Sequence, residues 1–432
     1  MRVYALRPEG IAGLPTARVS SAASTSPPVV APRLSIVVLP FTNLSDDREQ
    51  QYFADGITED LTTDLSRLAG MLVISRNTAF TYQNEPIDTK QIGRELAVRY
   101  VLEGSVRRLG NRVRVNAQLI DAETDAHLWA ERFDGDTSDL FALQDEVTSR
   151  IAITLNLELI AAEAARPTEH PDAMDYILRG RAAAANPPNP DKYARSIGFF
   201  ERALAFDPRS TEAQSWLAAA LTARALDGMT SLASADIVRA EGLAAQALAA
   251  SPRSPLAHYA KAQVLRAQRR HEEAIPEYET VIALNRNWVG AIAALAECKL
   301  SAGPIADVIP LQEQAVRLSP RDPNIENMYG RIGRAHLLQS RTDEAIVWLE
   351  KARSANPLRQ VPHAWLASAY ALSGETERAA AELAEARRLS GDDRYSSIAR
   401  LKAIGYFGVP KIRALFEATY FAGLRKAGMP EE

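Results

Sequence analysis

With 432 residues, 24% of them charged and 47% hydrophobic, the chain has the composition of a soluble globular protein with room for two or three domains. A net charge of −4 argues against a dominant nucleic-acid or membrane field. The single cysteine, Cys298, excludes an intrachain disulfide framework and fits a reducing compartment. No apolar run approaches the ~18–20 residues of a membrane span, and Met1 to Leu6 carries no signal-peptide hydrophobic region. The cytoplasm is the simplest location.

The first 33 residues read as a residual strand and a linker. Residues 7 to 33 are rich in Pro, Ala, Ser and Thr, with Pro27-Pro28 and Pro32, a composition suited to a tether. Ahead of them, Arg2-Val3-Tyr4-Ala5-Leu6 alternates like the last strand of a sheet whose body is missing. It resembles the closing strand of bacterial class III adenylate/guanylate cyclase domains; an unstructured start is the plain alternative.

Residues 34–162 read as an α/β module. Leu34 to Phe41 is nearly all apolar, so a strand buried on both faces, and Asn43 to Asp47 is a loop able to cap a helix. From Gln51 to Leu68, Phe53, Ile57, Leu61, Leu65 and Leu68 form one helical stripe, which Gly70 ends. Met71 to Ser75 is a second buried strand, so a parallel pair is expected. A short helix near Thr89 to Ala97 follows. Gly110-Asn111 then joins strands Tyr100–Leu109 and Arg112–Ala122 as a hairpin, with Val113, Val115, Ala117 and Leu119 on one face. A third strand, His127 to Phe133, and a helix from Leu140 to about Ile160 close the module.

Several runs in this stretch occur in a consistent order. They are Phe53-Ala-Asp55-Gly56-Ile-Thr-Glu59-Asp60, Val73-Ile-Ser-Arg76-Asn77, Tyr100-Val-Leu-Glu103-Gly104-Ser105-Val-Arg107-Arg108, and His127-Leu-Trp129-Ala-Glu131-Arg132-Phe133. Together they resemble the TolB-type N-terminal module of proteobacterial cyclase-like and regulatory proteins. The resemblance implies a place between an output domain (a class III cyclase or a winged helix) and a tetratricopeptide array, with no reaction in the module itself. Acids at a helix start explain Asp55, Glu59 and Asp60. Arg107, Arg108, Arg112 and Arg114, with Arg99 nearby, crowd one hairpin and offer an anion or acidic-partner patch. A solvated strand face is the plainer reading of those arginines.

Residues 168–393 repeat. Punctuation marks at Phe206-Asp207-Pro208, Ala250-Ser251-Pro252, Leu284-Asn285-Arg286, Leu318-Ser319-Pro320, Asn356-Pro357 and Leu389-Ser390-Gly391 are spaced 44, 34, 34, 37 and 34 residues apart. Counting back from them, small residues recur at Ser196, Ala240, Ala274, Val308, Ala345 and Ala379, and again at Ala203, Ala247, Val281, Ala315, Ala352 and Ala386. First helices keep Ala218, Ala262, Ala296, Gly330 or Gly333, and Ala367. This is the pattern of tetratricopeptide repeats, whose small residues let paired helices approach. The 44-residue spacing predicts a longer loop near Asp227 to Ala235, and Pro304 and Pro310 predict a shortened second helix. Such arrays present a concave groove that holds a peptide or helix of a partner. Gln214, Lys261, Arg334 and Tyr370, all on first helices, are the groove candidates. Residues 394–432 read as capping helices, and an ending similar to "GLRKAG" in cyclase-like relatives suggests a complete C-terminus.

Phosphate loops, dinucleotide fingerprints, nucleophile elbows and metal-ligand spacings among the six histidines are absent from the sequence. None of the metal-binding aspartates or adenine-contacting residues of a class III cyclase can be assigned. The expected fold is therefore an α/β module with a mixed sheet and flanking helices, followed by an all-α tetratricopeptide superhelix. The expected protein is a non-catalytic scaffold without a cofactor, partnered by a protein or peptide and by a cyclase or other output domain, and by neither nucleic acid nor membrane. A C-terminal fragment of a true cyclase and the regulatory part of a winged-helix transcription regulator are the alternatives.

Overall fold

The computed structural model describes residues 31–45, 51–68, 70–83, 88–136 and 139–432. The strand expected at Arg2 to Leu6, most of the tether after it and the capping acids Asp46 and Asp47 lie outside the described residues.

The first half of the sheet is parallel. Strand β1 (Ser35–Val38) pairs in parallel with β3 (Leu72–Val73) on one side and β4 (Tyr100–Leu109) on the other. Its four residues are all buried, which a strand covered on both faces requires. A two-residue strand, β2 (Thr42–Asn43), missed by the sequence reading, extends β4 in parallel. The second half is antiparallel: β4 joins β5 (Arg112–Asp121) through the turn at Gly110, where φ is +58°, and β5 joins β6 (Ala126–Asp136). The order is β3-β1-β4-β5-β6. Along β5, Val113, Val115, Ala117 and Leu119 are buried while Arg112, Arg114 and Asn116 face out, as the alternation predicts.

Helices α1 (Gln51–Ser66) and α4 (Leu140–Ala165) cover one face, and their Ile57, Leu61, Leu65, Ile151 and Leu155 meet Ile36, Leu102 and Leu119 in a single core. On the other face α2 (Arg76–Ala79) and α3 (Thr89–Leu96) cover only the β3-β1-β4 end. The stripe of α1 follows from its spacing. Asp60 accepts a hydrogen bond from Gln144 at 2.7 Å and Asp55 one from Gln51 at 2.9 Å, so both acids are engaged locally.

Helical hairpins then stack: α5 (Ala173–Ala184) with α6 (Pro190–Phe206), α7 (Thr211–Leu226) with α8 (Ala233–Ala250), and α9 (Pro255–Ala267) with α10 (His271–Leu284). They continue as α11 (Val289–Ala302) with α12 (Val308–Leu318), α13 (Ile325–Leu338) with α14 (Thr342–Ala355), and α15 (Gln360–Ser373) with α16 (Thr376–Ser390). Second-helix positions expected to pack closely, from Ser196 and Ala203 to Ala379 and Ala386, are buried in every copy. Of the two glycines offered on α13, Gly333 makes the close approach: a Cβ there would sit 2.6 Å from Leu349. Gly330, at the position the period selects, is half-buried instead.

The ten extra residues of the first spacing do not all enter a loop. Relative to α9 and α10, which have 13 and 14 residues, α7 has 16 and α8 has 18, and only the remaining three lengthen the connection at Asp227–Leu232. Near Pro304 and Pro310 a 3-10 turn at Ile305–Asp307 replaces the first turn of α12, which is cut to 11 residues.

Two contacts turn the stack back on itself. The third punctuation mark has Arg286 where four others have proline. Its guanidinium reaches Asp64 of α1 at 3.3 Å and Asp145 of α4 at 3.0 Å, while Asn287 donates to the same Asp64 oxygen at 3.0 Å. Ile153 of α4 packs beside Val289 and Ile292. At the far end the chain forms α17 (Ile398–Ile404), α18 (Pro410–Phe416), a π-helical turn at Glu417–Phe421 and α19 (Ala422–Lys426). This segment packs on α15, with Trp365 stacked on Tyr420 at 4.0 Å and Ser368 donating to the Tyr420 carbonyl at 2.9 Å. It also runs back past the last repeat. The Val409 amide donates to the Ser301 carbonyl at 3.0 Å, and Tyr406 stacks on His271 at 5.1 Å.

Candidate functional site

Alternate helices of the array, α7, α9, α11, α13 and α15, supply one shared face with two adjoining hollows. The first, about 290 Å³, is lined by the aromatic side chains Tyr193, Phe200, Trp216 and Tyr259; Phe200 stacks with Trp216, and Trp288, outside the lining, stacks on Tyr259 at 4.9 Å. Gln263 donates to the Tyr259 hydroxyl at 2.8 Å and accepts from Tyr278 at 2.7 Å, which fixes the floor. The second, about 490 Å³, is walled by arginines: Arg266, Arg269, Arg331, Arg334 and Arg359, with Glu297, Glu326 and Asp227 as the acids among them. Leu226, Asp227, Arg266, Asn327 and Arg331 line both.

One carboxylate organises the second hollow. Glu297 of α11 accepts from Arg334 at 2.9 Å and, at closer range, from Arg331. Burial would raise its carboxyl, but Arg334 and Arg331, with Arg266 beyond them, hold it well below the usual carboxylate range. Arg334 also lies over the Trp365 ring at 5.8 Å. Arg266 differs from Arg331, Arg334 and Arg359, each of which has a bonded partner. Its Nε is shielded from solvent, and its guanidinium makes no hydrogen bond or ion pair among the described residues. Behind it, burial pushes the Cys298 thiol up to about 12, so this cysteine stays protonated and unreactive at neutral pH.

The four groove candidates are not gathered. Arg334 alone lines the arginine hollow. Gln214 is buried and donates to the Pro208 carbonyl at 3.1 Å, six residues upstream. His258 and His363 reach the Pro252 and Pro357 carbonyls over the same offset, and each also contacts a glutamate nineteen residues on, Glu277 and Glu382, at 2.6 Å. Gln214 therefore belongs to a recurrent tie between a first helix and the turn before it. Tyr370 is buried, bonded to Glu350 at 2.5 Å, with the Arg378 guanidinium over its ring at 3.9 Å. Lys261 pairs with Glu277 at 2.6 Å in a separate, alanine-walled furrow between α8 and α10. Arg266, Arg331 and Glu297, absent from the sequence candidates, are the residues the fold brings together. Their separations, 31 and 34 residues, carried the signal.

On the hairpin, Arg114 is held bidentately by Asp134 at 2.7 and 3.3 Å, and Arg108 donates to the Gly110 carbonyl at 3.1 Å. Arg112 sits across from Asp136, and Arg107 across from Arg114. Arg99 is turned away into an ion pair with buried Glu163 at 2.8 Å. The patch is broken up by its own acids. Beside it the uncovered part of the sheet forms a polar hollow of about 820 Å³ over Glu103, Ser105, Asn116 and Gln118, which largely bond one another. Among the described residues no group of three His, Cys, Asp or Glu side chains is placed to hold a metal, and no helix is long and apolar enough to cross a membrane.

Two family models match the chain: the second domain of a HilA/YgeH-like transcriptional regulator over residues 32–150, and a tetratricopeptide repeat over 256–287. The first carries a different description from the TolB-type module to which these residues were likened. A protein of Rhizobium meliloti (strain 1021) named "Putative adenylate cyclase 3" is 41% identical over 256 residues, 58% of this chain and 43% of the relative. The chain thus matches less than half the length of that relative. Similar solved structures include YrrB, a tetratricopeptide protein with an unusual peptide-binding site (17% identity, 47% of this chain and 96% of that one, TM-score 0.34). Others are the Cut9–Hcn1 assembly (15%, 61% and 48%, 0.45) and human IFIT1 with PPP-AAAA (17%, 57% and 60%, 0.40). The chain carries tetratricopeptide repeats; scores this low add no argument on ligands.

Proposed function

We propose that the chain is a non-catalytic, cytoplasmic regulatory scaffold that holds a protein partner on the inner face of its repeats and serves a cyclase-type output in cAMP signalling. The observation that carries it is the joined pair of hollows, aromatic then arginine-lined, open along one face of a stack whose recurrent polar contacts are internal ties. The division behind this reading is a module at 34–162, an array at 168–393 and a closing segment at 394–432. The likeness to a protein named as an adenylate cyclase supports the cyclase link. No cyclase residue can be assigned in this sequence, so in this reading the chemistry belongs to another domain. The family match over 32–150 favours a second reading, in which the same scaffold serves a winged-helix transcription regulator.

The purified chain, given ATP or GTP with Mn²⁺, is expected to form no cyclic nucleotide; product would overturn the non-catalytic reading. A photo-crosslinker placed at Asn327, in the shared wall of the hollows, is expected to trap a polypeptide in cells. The same group at Val347 on outer helix α14 is expected to trap none. Equal trapping at both would remove the inner face as the binding surface.

A further inference from the structure

The arginine hollow is one carboxylate short. Arg331, Arg334 and Arg266 converge on Glu297, which has bonds to the first two and none to the third. The shielded Nε of Arg266 has lost the hydrogen bond it would keep in water, and its terminal nitrogens, with no protein acceptor among the described residues, are left for a bidentate anion. Arg266 stands where the arginine hollow opens into the aromatic one, so whatever anion it takes has the faces of Trp216 and Tyr259 beside it.

We infer that the partner segment held on this face is an acidic peptide that seats a carboxylate on Arg266 and an aromatic or large apolar residue in the neighbouring hollow. The inference rests on the scaffold reading above and specifies its ligand. A polyanion such as single-stranded RNA fits the same arginines less well, because Glu297, Glu326 and Asp227 line the floor with them and repel a continuous row of phosphates. A single carboxylate flanked by neutral residues meets the fork and avoids those acids. Arginine selects for this planar pairing in a way lysine does not.

The test is to pan a library of randomised twelve-residue peptides against the full chain, Arg266→Gln and Arg253→Gln. Arg253 is exposed in a turn away from the hollows, so both variants lose one charge. Peptides kept by the unaltered chain and by Arg253→Gln should be enriched several-fold in Asp or Glu near an aromatic residue. Arg266→Gln should retain them at least tenfold less. Libraries with a free and with a blocked C-terminus separate a terminal from a side-chain carboxylate. Arg266→Lys, which keeps the charge and loses the fork, should fall between, and it carries the test if the glutamine variant fails to fold. Retained peptides without acidic enrichment, or retained equally by Arg266→Gln, overturn the carboxylate anchor and leave the scaffold standing. Peptides displaced by twelve-nucleotide oligo(rA) more readily than by one another overturn it in favour of RNA. No retained peptide at all overturns both readings.

Discussion

The α/β part and the repeats bury their side chains by different plans. In the α/β part, residues more than a hundred positions apart (Ile36, Ile57, Leu102, Leu119, Ile151) share one cluster. In the first half of the array the core is cut into clusters of neighbouring helices, α6 to α9 around Leu217 and α9 to α11 around Tyr278 and Ala291, while from α11 onward the closing segment joins the repeats into one larger cluster. The first plan gives one cooperative unit; the second gives a chain of nearest-neighbour terms. A defect should therefore spread through the α/β part and stay local in the first half of the array.

The largest effect expected from this contrast comes from Ile57→Ala against Leu217→Ala, both fully buried. Each deletion should cost ~2–5 kcal/mol. By hydrogen exchange the first should raise opening throughout the sheet and α4, and the second only in α7, α8 and the helices touching them. Uniform loss of protection in both variants would remove the contrast. An intermediate effect is expected at the junction. Arg286→Ala takes away the pair to buried Asp64, whose remaining partners are Arg67 at 3.2 Å and Asn287. Because Arg286 itself is about two-fifths exposed, the cost is placed at ~1–2 kcal/mol, below that of a fully buried pair. Calorimetry should then show the two regions melting further apart; an unchanged profile would mean that Ile153 and its neighbours alone hold them.

The smallest effect is a pH dependence inside one repeat. The hydrogen bond from His363 to Glu382 raises the histidine above its usual 6.5; Arg353, which also binds Glu382, and Glu385 are the other charges near the pair. A raised folded-state value means the added stability is fully present below about pH 6.5 and is lost as pH rises through the folded value. Thermal midpoints of His363→Gln and the unaltered chain should differ most at pH 5–6 and converge by pH 9. A difference that grows with pH would reverse the assignment.

The sequence carried most of the fold because it is periodic. Alternation placed β5, the helical stripe placed α1, and small residues recurring every 34 to 44 positions placed the hairpins from α7 to α16 and the helix α6 before them. It carried little of the site. Tyr370 and Gln214 look like exposed first-helix polar residues until the fold supplies their partners, Glu350 of α14 and Arg378 of α16 for the one, the Pro208 turn and Gln246 of α8 for the other. Arg266 lay unnoticed because an arginine on a helix usually points into water; only the curvature that brings α9, α11 and α13 together leaves it facing a carboxylate already taken. Arg286 could have been singled out, since it interrupts a run of prolines at one mark.

The closing segment behaves as a ruler. It is fastened to α15 through Trp365 and Ser368, and two hairpins back to Ser301, where Gly408 at φ +78° lies so close that a Cβ would come within 2.6 Å of the Ser301 carbonyl oxygen. Open stacks gain or lose units freely. Here one 34-residue unit added between α11 and α15 would shift one fastening from the other by about two helix spacings, ~16–20 Å. The strap admits one number of repeats between its ends, so the length of the inner face from α11 to α15, which carries Arg331 and Arg334, is a fixed property of this chain.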